Sequence, residues 1–250
     1  MTSAAAAPPN RAYRRLSVEE RRTQLLGTAL TLFAHRAPDE VSLDEVAAVA
    51  GVSRPLVYRY FPGGRQQLYE SALRSAADEL KLCFAEPAEG PPTERVTRVL
   101  GRYLRFVDEH DTGFSALLRG GSVAETSRTT AIVDEVRRAA AEQILLHLGR
   151  GDGCAPGPRL RMLVRTWIAA VEAASLIWLD EGKQPDADEL RDWLVDQLIA
   201  LLAATAATDG ETASVVAALL SLETASGPAG KLAARLVPVV GGAAHLLPPD

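Results

Sequence analysis

Residues 42 to 61 read SLDEVAAVAGVSRPLVYRYF, and the spacing inside this stretch decides the fold. Ser42 followed by Glu45 is an S-x-x-E capping box that opens a short helix, and Leu43, Val46, Ala47 and Ala50 then share one face. Ala47 is small where a second helix must cross closely, and Gly51, four residues on, takes the left-handed turn that a Cβ would resist. Ser53 caps the second helix, which runs through Tyr60; Pro55 is tolerated because first-turn N–H groups have no helical partner. Val46, Ala50, Val52 and Val57 fill the angle between the two helices. Arg54, Pro55, Tyr58, Arg59 and Tyr60 are then left outward, a cationic and aromatic face of the size that enters a DNA major groove. The competing reading is a helical hairpin inside an all-α core. Local positive charge coinciding with Gly51 and Ser53 favours the DNA-reading one.

Working outward, Ser17 and Glu20 form another capping box, and Val18, Leu25, Ala29, Leu32 and Phe33 recur at helical spacing until Pro38 stops the pattern. The turn Pro62-Gly63-Gly64 precedes a linking helix from about Arg65 to Phe84. Further helices are predicted at roughly 93–110, 113–119, 123–149, 158–181 and 187–207, and an amphipathic one at Thr212–Thr224, followed by a Gly/Pro-interrupted apolar tail. The domain reading is a flexible basic leader at 1–16, a helix-turn-helix domain at 17–78 with its motif at about 42–61, a larger helical domain at 79–207, whose ligand-binding and dimerisation role is what the family resemblance given below implies, and an extension at 208–250 with no assigned role. Hydrophobic residues make up 47% of the 250, and aromatics only 5%. Ala and Leu dominate, so the expected class is all-α.

Net charge is -5, yet residues 11 to 65 hold nine Arg against six acidic residues, so one end is basic and the remainder acidic. That asymmetry lets the front approach a polyanion. Cys83 and Cys154 are far apart, with no CxxC and no metal-like spacing, so neither a zinc site nor a disulfide framework is expected, and a reducing cytoplasm fits. Cys154 is either a redox-sensing thiol or an inert one. The first sixteen residues carry no apolar core of a secretory signal, and stretches such as Leu232–Leu247 are broken by Arg235, Pro238, Gly241 and His245, so no membrane is expected. The chain lacks G-x-S-x-G, H-E-x-x-H and the dinucleotide fingerprint, and its four histidines are scattered; the expectation is a non-enzyme with no cofactor, no catalytic residue and no metal.

Ser42-Leu43-Asp44-Glu45-Val46-Ala47, Ala50-Gly51-Val52-Ser53 and Val57-Tyr58-Arg59-Tyr60-Phe61-Pro62 together resemble the DNA-binding signature of TetR-type transcriptional regulators, over roughly residues 18–78. The resemblance implies an all-helical homodimer that is usually a repressor released by a ligand. One departure is that the family commonly has Phe-x-Ser-Lys before the fourth helix; here Phe61-Pro62-Gly63-Gly64-Arg65 puts the basic residue one position later, which implies an extra turn residue. Arg65 either takes the phosphate-binding role of that lysine or is simply solvated. The DNA-binding set is then Ser42, Ser53, Arg54, Pro55, Tyr58, Arg59, Tyr60 and Arg65. Arg54 and Arg59 either donate to a guanine edge or bind phosphate, Tyr58 positions the backbone, and Ser42 either binds phosphate or only caps. Arg11, Arg14 and Arg15 form either a minor-groove arm or a solvated tail.

For the larger domain, Leu163, Trp167, Ala170, Ala174, Ile177 and Trp178 on one helix and Leu190, Leu194, Leu198, Leu201 and Leu202 on the next form either a four-helix dimer seam or intramolecular core. Tyr103, Phe106, Phe114, Leu117 and Trp167 are the ligand-site candidates, with Arg119, His147 and Glu172 as polar anchors. The functional expectation is a cytoplasmic homodimeric repressor released from a near-palindromic double-stranded DNA operator by a small, partly hydrophobic effector. The alternatives are an activator or ligand-independent regulator on the same scaffold, and a helical interaction module with a vestigial helix-turn-helix.

Overall fold

Ser17 opens the first helix, α1 (Val18–His35), by accepting the Glu20 N–H on its Oγ at 3.1 Å while Glu20 Oε2 accepts the Ser17 N–H at 2.7 Å. Such a reciprocal cap contributes about 1 kcal/mol to helix stability. The computed structural model describes residues 16–36, 39–111, 127–148 and 156–243. Among them lie ten α-helices and no strand. The predicted helix at 113–119, Phe114, Leu117, Arg119, Cys154 and the leader's Arg11, Arg14 and Arg15 fall outside the described residues.

Helices α2 (Leu43–Val49) and α3 (Arg54–Tyr60) form the motif. The Ser42 box is only half made: Ser42 Oγ accepts the Glu45 N–H at 3.1 Å, but Glu45 Oε1 is drawn to Arg36 Nη2 at 2.6 Å instead of returning the bond. The turn is a Schellman motif, in which Gly51 N–H donates to Ala48 O at 3.2 Å and Val52 N–H to Ala47 O at 2.9 Å, with Gly51 at φ +66°. Gln24 Nε2 on α1 donates to Ala50 O at 3.0 Å, pinning the turn to the first helix. Leu43, Val46, Ala47, Ala50 and Val57 are buried beneath it, as the spacing predicts, and Phe61 is buried with them; Val52, read into the same set, is only half-buried, and Val18, read into the stripe on α1, is exposed.

Helix α4 (Gly64–Cys83) follows, with Gly64 at φ +73° absorbing the extra turn residue. It packs on α1, where Phe33 meets Tyr69 edge-on with ring centres 4.9 Å apart, and on α5 (Pro92–Glu109) and α6 (Ser127–His147). Lys81 Nζ reaches Glu135 on α6 at 2.8 Å. Residue 78 lies inside this continuous helix, so α4 belongs to both halves of the molecule. Glu86, almost fully buried in the segment between α4 and α5, accepts Arg98 at 2.6 Å and Arg102 at 2.7 Å. Burial acts to raise its pKa, yet these two hydrogen bonds hold it below the ordinary carboxylate value.

Helices α7 (Pro158–Asp180) and α8 (Ala187–Ala206) pack on each other, α7 also on α6 and α8 also on α5. By length and composition α7 is the one described helix that could cross a membrane, but Leu160, Leu163, Val164 and Trp167 on it are buried within the helical bundle. The extension forms α9 (Gly210–Leu220) and α10 (Pro228–Ala243) against α8. The tail read as Gly/Pro-interrupted is thus helical through Pro238, with Ala229 and Leu232 buried. Glu223 accepts both the N–H and the hydroxyl of Thr93 at 2.7 Å, and Arg235 meets Asp196 at 2.7 Å, so the extension is tied to α5 and α8.

Candidate DNA interface and effector chamber

On α3, Arg54, Pro55, Tyr58 and Arg59 are exposed and Tyr60 is half-buried, while Val57 alone turns fully into the core. Seven residues place Arg54, Tyr58 and Arg59 within two turns of each other on one side. Arg54 is held in place: its Nε meets Asp44 Oδ1 on α2 at 2.7 Å, and its guanidinium lies 5.4 Å from the Tyr58 ring centre. Its Nη2 also donates to the Tyr58 hydroxyl at 3.4 Å. That hydrogen bond, followed by the Asp44 charge, raises the guanidinium pKa. Arg59 lies 5.9 Å from the Tyr60 ring and makes no ion pair among the described residues. Sequence spacing placed the face but did not reveal that Asp44 holds Arg54, because the partner sits across the turn.

Around this face, Ser42 and Ser53 are exposed. The Ser42 hydroxyl is engaged in capping, and Ser53 makes no side-chain cap bond despite its position. Arg65 is exposed but bent back, its Nη1 donating to Asp39 O at 2.6 Å, which leaves other guanidinium donors for a second partner. Arg22 of α1 stacks over Phe61 at 5.2 Å, adding a positive charge behind the motif.

In the larger half, an apolar chamber of about 60 Å³ lies between α4, α5, α6 and α7. Leu80 comes from α4 and Phe84 from its C-cap, Tyr103 from α5, Val136 and Ile144 from α6, and Trp167 and Val171 from α7. Tyr103 and Trp167 therefore meet as anticipated, and Glu172 lines the chamber with Arg137, whose Nη2 lies 3.0 Å from Glu172 Oε2. Burial pushes the Tyr103 phenol pKa up, and the nearby Ser175 hydroxyl donates to Val171 O at 2.8 Å. The Trp167 indole N–H is satisfied by Leu194 O at 2.9 Å, which orients the ring without using the chamber. Phe106 does not line the chamber; it stacks on His110 at 4.4 Å. His147 also lies elsewhere, buried, with its carbonyl accepting Arg95 Nη2 at 2.9 Å and its Nε2 without a hydrogen-bond partner. Arg137 was not anticipated; the only signal for it is a cation within the apolar period of α6.

The seam residues divide differently from expectation. Leu163, Trp167, Trp178, Leu190, Leu194, Leu198 and Leu202 are buried within the chain itself, Ala170 and Ala174 are half-buried, and only Ile177 and Leu201 remain exposed. The outward stripe is rotated: Met162, Thr166, Ala169, Ala173 and Ile177 on α7, and Trp193, Ala200, Leu201 and Ala204 on α8. Met162 is 68% exposed, Ile177 55% and Trp193 53%, an unusual display for large apolar side chains.

Comparison with known proteins agrees with this architecture. Residues 25–72 match the family described as bacterial regulatory proteins, tetR family, and residues 92–201 match the tetracyclin repressor-like C-terminal domain. The crystal structure of a tetR-family transcriptional regulator from Streptomyces coelicolor is 50% identical, with a TM-score of 0.80, covering 90% of this chain and 100% of that one. A TetR-like regulator from Rhodococcus sp. RHA1 is 25% identical with a TM-score of 0.62, covering 76% and 99% of the two chains. Among characterised relatives, the HTH-type transcriptional activator FasR of Mycolicibacterium smegmatis is 29% identical over 182 residues, 72% of this chain and 81% of the relative. The HTH-type transcriptional regulator EthR of Mycobacterium tuberculosis is 25% identical over 203 residues, 79% and 92% of the two chains. The exposed α3 face, the glycine-hinged turn beneath it and the helical body behind it are those of this family, and the chain belongs to the TetR family of DNA-binding transcriptional regulators.

Proposed function

We propose that this regulator is a cytoplasmic homodimeric repressor, displaced from a near-palindromic operator by a small, partly hydrophobic effector. The observation that carries the reading is the α3 face, where Arg54, Tyr58 and Arg59 project together from a hydrogen-bonded turn. In this reading Arg54 and Arg59 read bases, Tyr58 positions the DNA backbone, Pro55 packs against the groove wall, and Ser42, Ser53, Tyr60 and Arg65 hold phosphates. The rotated apolar stripe of α7 and α8 supports a self-complementary seam, since two-fold pairing of such stripes builds a four-helix interface.

The chamber supports the effector half of the proposal. Its 60 Å³ is well below the roughly 300–1,000 Å³ of small-molecule sites, so an effector must push its walls apart. Two of those walls, Leu80 and Phe84, belong to the end of α4, whose other end packs under the reading domain. Twenty helical residues act as a lever of about 30 Å. Tenfold release of DNA requires only about 1.4 kcal/mol of differential effector binding. A gel shift on the DNA upstream of the protein's own gene, at several salt concentrations, tests the reading: a specific band at dimer stoichiometry supports it, and its absence at every salt concentration refutes it. The relative named an activator favours a second reading, activation from the same operator. Reporter output on deleting the gene separates the two: it rises for a repressor and falls for an activator.

A further inference from the structure

We propose that the effector is an amphipathic anion, with its apolar end in the chamber and its anionic head in an adjoining groove lined by arginine; this rests on the chamber being the effector site. The groove, about 660 Å³, runs between α6 and α7. It is lined by Arg137, Arg138, Arg161 and Arg165, against two acids, Asp134 and Glu142. Arg138, Arg161 and Arg165 make no ion pair among the described residues. In a chain of net charge -5, a concentration of unpaired guanidinium groups far from the reading face needs a reason. Like charges one helical turn apart, as at Arg161 and Arg165, repel, and a bound carboxylate or phosphate offsets that repulsion through bidentate hydrogen bonds.

Groove and chamber meet at two shared lining residues, Arg137 and Ile168. The boundary is the Arg137–Glu172 pair, in which Arg137 Nε lies 3.2 and 3.1 Å from the two Glu172 oxygens and Nη2 lies 3.0 Å from Oε2. Glu172 lines the chamber and repels an anion from its interior, which orients the ligand with its apolar end inward. A head arriving in the groove competes with Glu172 for Arg137 and loosens the pair that closes the passage. The volumes agree with this division, because the groove has room for the head and the groups bonded to it while the chamber must expand around the tail.

Isothermal titration calorimetry of the full chain with octyl phosphate, octanoate and 1-octanol tests the proposal. At least one anion binds tenfold or more tighter than the alcohol, and the advantage shrinks with added salt. The ratio between octyl phosphate and octanoate tells which head the groove prefers, and inorganic phosphate alone reports the groove without the tail. In Arg161→Gln/Arg165→Gln, both exposed positions, the anion advantage disappears while 1-octanol affinity stays within twofold. Val171→Trp, which fills the chamber, abolishes binding of all three; Ala140→Phe repeats this at a half-buried lining position if the first variant does not fold. Equal affinity for anion and alcohol in the unaltered protein overturns the proposal and leaves the chamber reading standing. Anion binding that survives both chamber-filling variants also overturns it. If none of the three probes binds, the chamber reading fails and the proposal with it.

Discussion

Replacing Gly51 tests the link from backbone conformation to DNA reading. This residue sits at φ +66°, and no heavy atom comes within 4 Å of where a Cβ would stand, so Gly51→Ala meets a conformational cost alone. The left-handed region costs a non-glycine residue about 1–2 kcal/mol, and the stiffer unfolded chain returns about 0.4–1 kcal/mol. The net loss is on the order of 1 kcal/mol, a fall in Tm of about 2–4 °C for a chain of this size. Gly51→Asn, whose side chain tolerates that region, recovers most of it, and Gly51→Val loses more because a β-branched residue is an outlier there. Function follows the same order, since the Gly51 and Val52 N–H bonds set the angle at which α3 leaves α2. Urea denaturation and operator binding by fluorescence anisotropy are to be measured on all four proteins. If Gly51→Ala and Gly51→Asn are equally destabilised, or if Gly51→Ala loses more than about 3 kcal/mol, the position is limited by a contact and the reasoning is refuted.

Arg59→Ala weakens operator binding by about 1–3 kcal/mol and relaxes preference at one base pair, whereas Arg65→Ala weakens binding evenly across sequences and lowers the salt slope by about one; a base-by-base binding series distinguishes them. Ile177→Asp places a charge in the outward stripe of α7 and shifts sedimentation from dimer to monomer, with loss of operator binding; an unchanged dimer moves the seam elsewhere. Burial, followed by the nearby Arg95 charge, holds the His147 imidazole below its ordinary pKa of 6.5, so the unfolded chain binds the proton first. Folding stability is therefore fully present above pH 6.5 and declines as pH falls from there through the depressed folded value, and urea midpoints for His147→Gln show a shallower decline in that window.

The motif was legible because its determinants are local. Capping at Ser17, the inward set Leu43, Val46, Ala47 and Ala50, and the turn at Gly51 each involve partners within a few residues. The Ser42 box was misread where a long-range competitor intervened: Arg36 captured the carboxylate of Glu45. Tyr103, Trp167 and Glu172, singled out by their chemistry within helical stripes, line the chamber, but Phe106 and His147 carry the same signal and face other neighbours.

By itself the sequence determined the all-helical class, the reading helix and, Tyr60 apart, which of its expected outward side chains are exposed, because i to i+4 periodicity and caps are properties of short segments. Tertiary structure alone decided which side of α7 and α8 the chain buries and which it leaves exposed. Both sides of these helices are apolar, so periodicity has no preferred direction there, and the choice falls to the packing of α5, α6 and α9 against them. The same long-range packing created the chamber, placed Arg137 against Glu172 across two helices, and folded the proline-containing tail into α10.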